Sequence, residues 1–171
     1  FISWLDLRVY NLNIDATGSI DVTGRGYIGG RASHERGRTA GNVYGALDGT
    51  GGSYGGLASG HEGRASNATY GSLTNPQDLG SGGGNWGGSI GGDGGGMTLI
   101  QANNMIINGA IIANGGESGG SAAGDGSGGT VNIITSNLSG TGTIQAKGGG
   151  KDSGSGGGGG RIAVNYAGSL S

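Results

Sequence analysis

Three glycine tracts, GGSIGGDGGG (87–96), GGESGGSAAGDGSGG (115–129) and GGGKDSGSGGGGG (148–160), each run directly into a segment of alternating residues that reads as a β-strand. Glycine loses more backbone entropy on ordering than any other residue. A chain of 171 residues with 48 glycines and 32% hydrophobic residues therefore has little with which to build a conventional core. At this glycine content low-complexity disorder is the default expectation. Disorder through charge fits poorly, since charged residues are 12% and the net charge is −2. Collagen needs glycine at every third position and abundant proline, and this chain has one proline. If the chain folds, repetitive hydrogen bonding or association between chains must carry much of its stability.

An internal repeat supplies the repetition. The phrases GSIDVTG (18–24), GAIIANGG (109–116) and GTIQAKGG (142–149) share glycine, a small residue, isoleucine, a variable residue, then valine or alanine. Isoleucine and that small apolar residue are two apart, which puts both on one face of a strand. Upstream of each phrase lies another alternating segment. Met97, Leu99 and Gln101 are read in line with Val131, Ile133 and Thr135, and with Ile162, Val164 and Tyr166; Leu7 and Val9 fit the same frame. Met105, Leu138 and Leu170 follow at a common later position, and Leu170 marks a fourth copy begun and not finished. No helical period lies between strands, which excludes a βαβ crossover.

The pattern predicts an all-β fold, a short parallel β-solenoid (β-helix) of about three coils. Residues 1–171 form its single domain, and 25–95 form a long glycine-rich excursion packed on it. That excursion holds Pro76, both histidines and Arg25, Arg31, Arg36, Arg38 and Arg64, with Tyr27, Tyr44, Tyr54, Tyr70 and Trp86 as candidate anchors. Gly/Ser tracts elsewhere behave as flexible linkers, but here each must return the chain to the next coil. Extended segments of polyproline-II geometry, packed side by side and exchanging backbone hydrogen bonds, would order them as a polyglycine-II-like layer. Wider irregular loops and disorder are the alternatives.

The phrases GRGYIGG (24–30), TYGSLTNPQDLGSGGG (69–84), INGAIIANGG (107–116), GTGTIQAKGG (140–149) and GGGGGRIAVNY (156–166) resemble the glycine-rich β-solenoid repeats of microbial surface proteins, in adhesins and extracellular filaments. The resemblance implies an extracellular or cell-surface location and a structural or adhesive role, and it transfers no catalytic residues.

Candidate chemistry is sparse. SHERGR (33–38) and GHEGR (60–64) could offer two imidazoles and two carboxylates to a divalent metal, but neither forms the HExxH of a zincin; salt-bridged loops are the simpler reading. Asp93, Asp125 and Asp152, one per glycine excursion, are spaced unlike the calcium-binding nonapeptides of β-rolls. GGGNWG (82–87) has the form GxGxxG without a following helix to cap a phosphate. The acidic residues are too scattered for a polysaccharide-cleaving groove. Asn67 and Asn137 head N-x-S/T triplets that match glycosylation acceptors. We therefore expect no enzyme, no catalytic residue, no cofactor and no metal. Nucleic acid is not expected either, because the net charge is not positive, and no apolar run reaches the roughly 18 residues of a membrane span.

The chain opens on FISWLDLRV, without an initiator methionine, and closes on RIAVNYAGSLS in mid-coil. Either it was cut from a longer array, or the last strand of one copy meets the first of the next. The second option makes the protein a self-assembling, head-to-tail homo-oligomer, with Phe1, Ile2, Trp4, Leu7, Ile162, Val164, Tyr166 and Leu170 as the assembly residues. Such heterologous contacts build open filaments. The alternative is a segment of a larger surface adhesin that binds glycan or another surface through 25–95.

Overall fold

The computed structural model describes residues 3–150 and 154–170, with the backbone alone for Ser169 and Leu170. Four strands, β1 (Trp4–Ile14), β5 (Met97–Ile107), β7 (Thr130–Ser139) and β9 (Arg161–Leu170), form one parallel sheet in the order β1-β5-β7-β9. Three short strands, β2 (Ser19–Asp21), β6 (Ala110–Ile112) and β8 (Thr143–Gln145), form a second parallel sheet in the order β2-β6-β8. A small antiparallel pair, β3 (Arg38–Thr39) and β4 (Val43–Tyr44), completes the strands.

In-register pairing explains why the repeat phrases matter. Ile20, Ile111 and Ile144 sit opposite one another across the second sheet. Their side chains join Ile100, Ile133, Val131, Met105 and Ile107 in one narrow core between the sheets. In β5 the residues Asn103 and Asn104 break the alternation between buried Ala102 and buried Met105, so the strand bends while keeping its apolar side inward. The Asn side chains on that bend form a ladder: Asn104 Nδ2 donates to Asn11 Oδ1, and Asn137 Nδ2 donates to Asn104 Oδ1, each at 2.9 Å.

The expected face of β5 is corrected. Register pairs Met97 with Thr130 and Thr98 with Val131, so Thr98, Ile100 and Ala102 point inward, not Met97, Leu99 and Gln101. A one-residue shift moves every side chain of a strand to the opposite face. The larger side chains at 97 and 99 are a false guide, because the inner space beside Val131 and Thr135 takes the small Thr98 and Ala102.

The expected β-solenoid is also corrected. The strands make two separate parallel sheets of unequal width plus an antiparallel pair, and among the described residues no third wall of strands closes a coil. The glycine tracts do not ladder with a single neighbour on each side. Along 124–129, Gly124 and Ser127 donate to Gly84 and Ser81, Asp125 and Gly128 to Ser155 and Gly158, and Gly126 and Gly129 to Gly116 and Ala113. The donor direction thus repeats every three residues, whereas a strand alternates every two. The same stretch accepts from three further segments, at Gly92 and Gly95, Gly52, and Gly149. A side chain would separate such neighbours: a Cβ at Gly124 would lie 1.8 Å from the Thr50 carbonyl oxygen. The domain is a mixed-sheet structure joined to a hydrogen-bonded glycine body.

Segments of 25–95 enter that body, as Tyr27 N–H donating to the Gly80 carbonyl and Gly52 N–H to the Asp125 carbonyl show. The rest of the excursion covers the outer face of β7, which is why Thr130, Val131, Asn132 and Ile133 are all buried in succession. Tyr54 and Thr130 share a hydroxyl hydrogen bond of 2.7 Å, Asn132 Nδ2 donates to the Pro76 carbonyl, and Arg161 donates to the Tyr70 carbonyl. The Tyr54 and Tyr70 rings pack with centroids 4.8 Å apart.

Burial raises the hydroxyl pKa of Tyr54 and of Tyr70, most strongly for Tyr70. Above pH about 10 the unfolded chain loses these protons while the folded chain keeps them, so stability falls as pH rises beyond that point. Each ring contributes a slope of up to about 1.4 kcal/mol per pH unit. Denaturant titrations at pH 9, 10 and 11 should show this loss, and replacing Tyr70 by Phe should reduce the slope.

Candidate functional site

Of the residues expected to mediate assembly, those described fall at the two edges of the four-stranded sheet. Trp4 and Leu7 are on β1 and Ile162, Val164 and Tyr166 on β9, separated by β5 and β7. Phe1, Ile2 and the Leu170 side chain lie outside the described residues. Register threads the inner face in rows: Leu7, Ile100, Ile133 and Val164 form one, and Val9, Ala102, Thr135 and Tyr166 another. Ile133 is fully buried in the middle of its row, whereas Ile162 and Tyr166 are 45% and 51% exposed on β9. The core therefore runs open toward solvent at the β9 edge. At the β1 edge, Leu7 and Leu12 only partly cover it. Trp4 occupies the outer face, 65% exposed, in the row of Met97, Thr130 and Arg161.

The two His-Glu segments do meet, on Trp86. His34 and His61 stand edge-on to its ring at 5.1 and 5.0 Å, and the Arg64 guanidinium lies 4.8 Å from its centroid. His34 Nδ1 is 3.4 Å from Asp48, and Glu62 pairs with Arg64 at 3.2 Å. This is an aromatic and ionic clamp between loops. Among the described residues no group of three or more His, Cys, Asp or Glu side chains is placed to hold a metal ion.

Asp93 Oδ1 accepts from the Gly29 N–H at 2.8 Å and pairs with Arg31, and buried Asp125 accepts from the Ser118 N–H at 2.6 Å. These carboxylates satisfy backbone donors within the glycine body; Asp152 lies outside the described residues. Glu35 is held below the usual carboxylate range because the Ala32 and Arg31 N–H groups donate to it.

The glycosylation triplet at Asn67 carries a structural side chain. Its Oδ1 accepts from the Ser53 N–H at 3.0 Å, and its Nδ2 donates to the Ser53 carbonyl at 2.8 Å. A sugar on Nδ2 would displace this pairing. Asn67→Ala leaves both main-chain groups of buried Ser53 unpaired and should cost about 2–3 kcal/mol in a urea titration.

A groove that the sequence did not point to crosses the sheet near the bend. Its volume is about 660 Å³, and Arg8, Tyr10, Gln101, Asn103, Ser136 and Ala167 line it. Asn at matching repeat positions was the available signal for the bend; nothing in the sequence marked the concavity itself. Among the described residues no helix is long and apolar enough to cross a membrane. In comparisons with known proteins, no family model, no curated protein and no solved structure matches the chain.

Proposed function

We propose that the protein is a structural subunit that assembles head to tail into an extracellular filament, the β9 edge of one copy adding in parallel to the β1 edge of the next. The observation that carries this reading is the pair of long open edges. β1 spans 11 residues and β9 spans 10, neither contains proline, and the core beneath them is incompletely covered. Proteins that remain monomeric usually blunt such edges with very short strands or proline; the register shift on β9 falls beyond Tyr166, which leaves its first six residues in regular pairing.

Continuing the internal register would place Val164 beside the next copy's Leu7, Tyr166 beside its Val9 and Ile162 beside its Leu5. Apolar side chains now half exposed would then be covered from both sides. The outer row would bring Arg161 beside the next copy's Trp4. Aspartate at position 4 would thus meet a guanidinium, and Trp4→Asp should weaken assembly less than a charge at 162. Ile162→Asp buries a carboxylate among Leu5, Val131 and their neighbours, so it should leave folded subunits that stay in the supernatant on ultracentrifugation. Ile162→Asp filaments indistinguishable from those of the unaltered chain would remove the proposal.

Because the first sheet has four strands and the second three, this mode of addition advances four strand levels per subunit. It leaves a space one strand wide between β8 of one copy and β2 of the next.

A further inference from the structure

We infer that the groove across β1, β5, β7 and β9 is a binding site for a neutral oligosaccharide. The groove crosses the strands instead of running along one, so it presents side chains and no free row of backbone N–H and C=O groups. An extended peptide added by strand pairing needs such a row; a carbohydrate does not.

The lining suits a polyhydroxylated ligand. Gln101 and Asn103 contribute amides, Ser136 and Tyr10 hydroxyls, and the Ile134 and Ala167 side chains add apolar surface between them. The Asn103 amide is already oriented, since its Oδ1 is 3.0 Å from Ser136 Oγ and accepts from it. Tyr10 is 72% exposed, the most open ring of the sheet, and offers a face for the C–H side of a sugar. The single cation, Arg8, is matched by Asp6 at 3.1 Å. That pairing leaves the groove without a net charge to select a phosphate or a nucleic-acid backbone. A few convergent polar groups around an aromatic and apolar floor are what small-molecule sites commonly present.

No residue of 25–95 lines the groove, so the site is independent of the long excursion, and the inference does not rest on filament formation. If filaments form, the groove runs along the direction in which copies add.

The test uses the full chain on an array of immobilised neutral glycans, including β-glucan, xylan, mannan and chitin oligomers, followed by calorimetric titration of the best binder. Binding to at least one is expected. Tyr10→Ala should weaken it at least tenfold, Tyr10→Trp should retain it, and Trp86→Ala, in the excursion, should leave it unchanged. Circular dichroism checks that the variants keep their strands, as an exposed edge ring should allow. No binding to any glycan on the array overturns the inference. So does binding that is lost in Trp86→Ala and kept in Tyr10→Ala.

Discussion

Gly126→Ala is expected to destabilise the protein by about 3 kcal/mol, a large share of the roughly 5–15 kcal/mol that holds a typical domain together. Its added Cβ would lie 2.0 Å from the Asp93 carbonyl oxygen and 2.8 Å from the Gly94 nitrogen. Those atoms are backbone, and they are fixed in turn: Gly116 N–H donates to that Asp93 carbonyl, and Gly94 N–H donates to Tyr27. A flexible side chain could swing aside, but here relief requires parting neighbouring segments and losing several hydrogen bonds. Gly159→Ala is the internal comparison. Nothing lies within 4 Å of its Cβ position, so alanine should be neutral or stabilise by up to about 1 kcal/mol through reduced unfolded-state entropy. Urea unfolding of both variants distinguishes an ordered glycine body, in which the two differ sharply, from loose loops, in which both would be mild.

The second large effect concerns assembly and leaves the fold intact. Arg161 donates its N–H to the Gly129 carbonyl at 2.9 Å, toward the interior of the sheet. Successive residues of a strand direct their N–H groups to opposite edges, so the Ile162 N–H faces the open side. Ile162→Pro therefore removes a donor that the isolated subunit does not use, at a position where edge strands tolerate proline. In a filament that edge becomes interior, where proline loses a ladder bond and its ring obstructs the neighbouring strand. Leaving the neighbour's carbonyl unpaired costs about 1–3 kcal/mol per junction, which would weaken addition by roughly 5- to 150-fold. The variant should keep the circular dichroism and unfolding midpoint of the unaltered chain yet fail to sediment. Filaments of Ile162→Pro at unchanged critical concentration would show that β9 is not the growing edge.

Legibility in the sequence followed chemistry. The isoleucine phrases were readable because an inward-facing β-branched residue at a fixed place in each repeat must stack on its counterpart, as Ile20, Ile111 and Ile144 do. Met105 and Leu138 align across β5 and β7 in the same register, and the backbone of Leu170 continues it on β9. β5 misled because Thr98 and Ala102 are poor hydrophobic markers, although small residues fill the inner row. Closure of the strands into coils could not be read at all. Glycine has no side chain to mark an inward face, so its tracts do not reveal in sequence whether they pair as strands or bond in three directions. The Trp86 clamp was half legible: the twin His-Glu segments suggested a meeting place, but the ring that brings them together stands 25 residues beyond His61. The groove is lined from four strands, and no single segment carries that information.

Cryo-electron microscopy of the concentrated protein would show whether copies join by extending the four-stranded sheet. The expected result is filaments whose axial rise per subunit is four strand spacings, about 19 Å, with β9 of each copy beside β1 of the next and one strand missing from the second sheet at every junction. A rise of three spacings, about 14 Å, would require β9 and β1 to occupy the same level and would contradict it. Dispersed monomers at every concentration would contradict it as well.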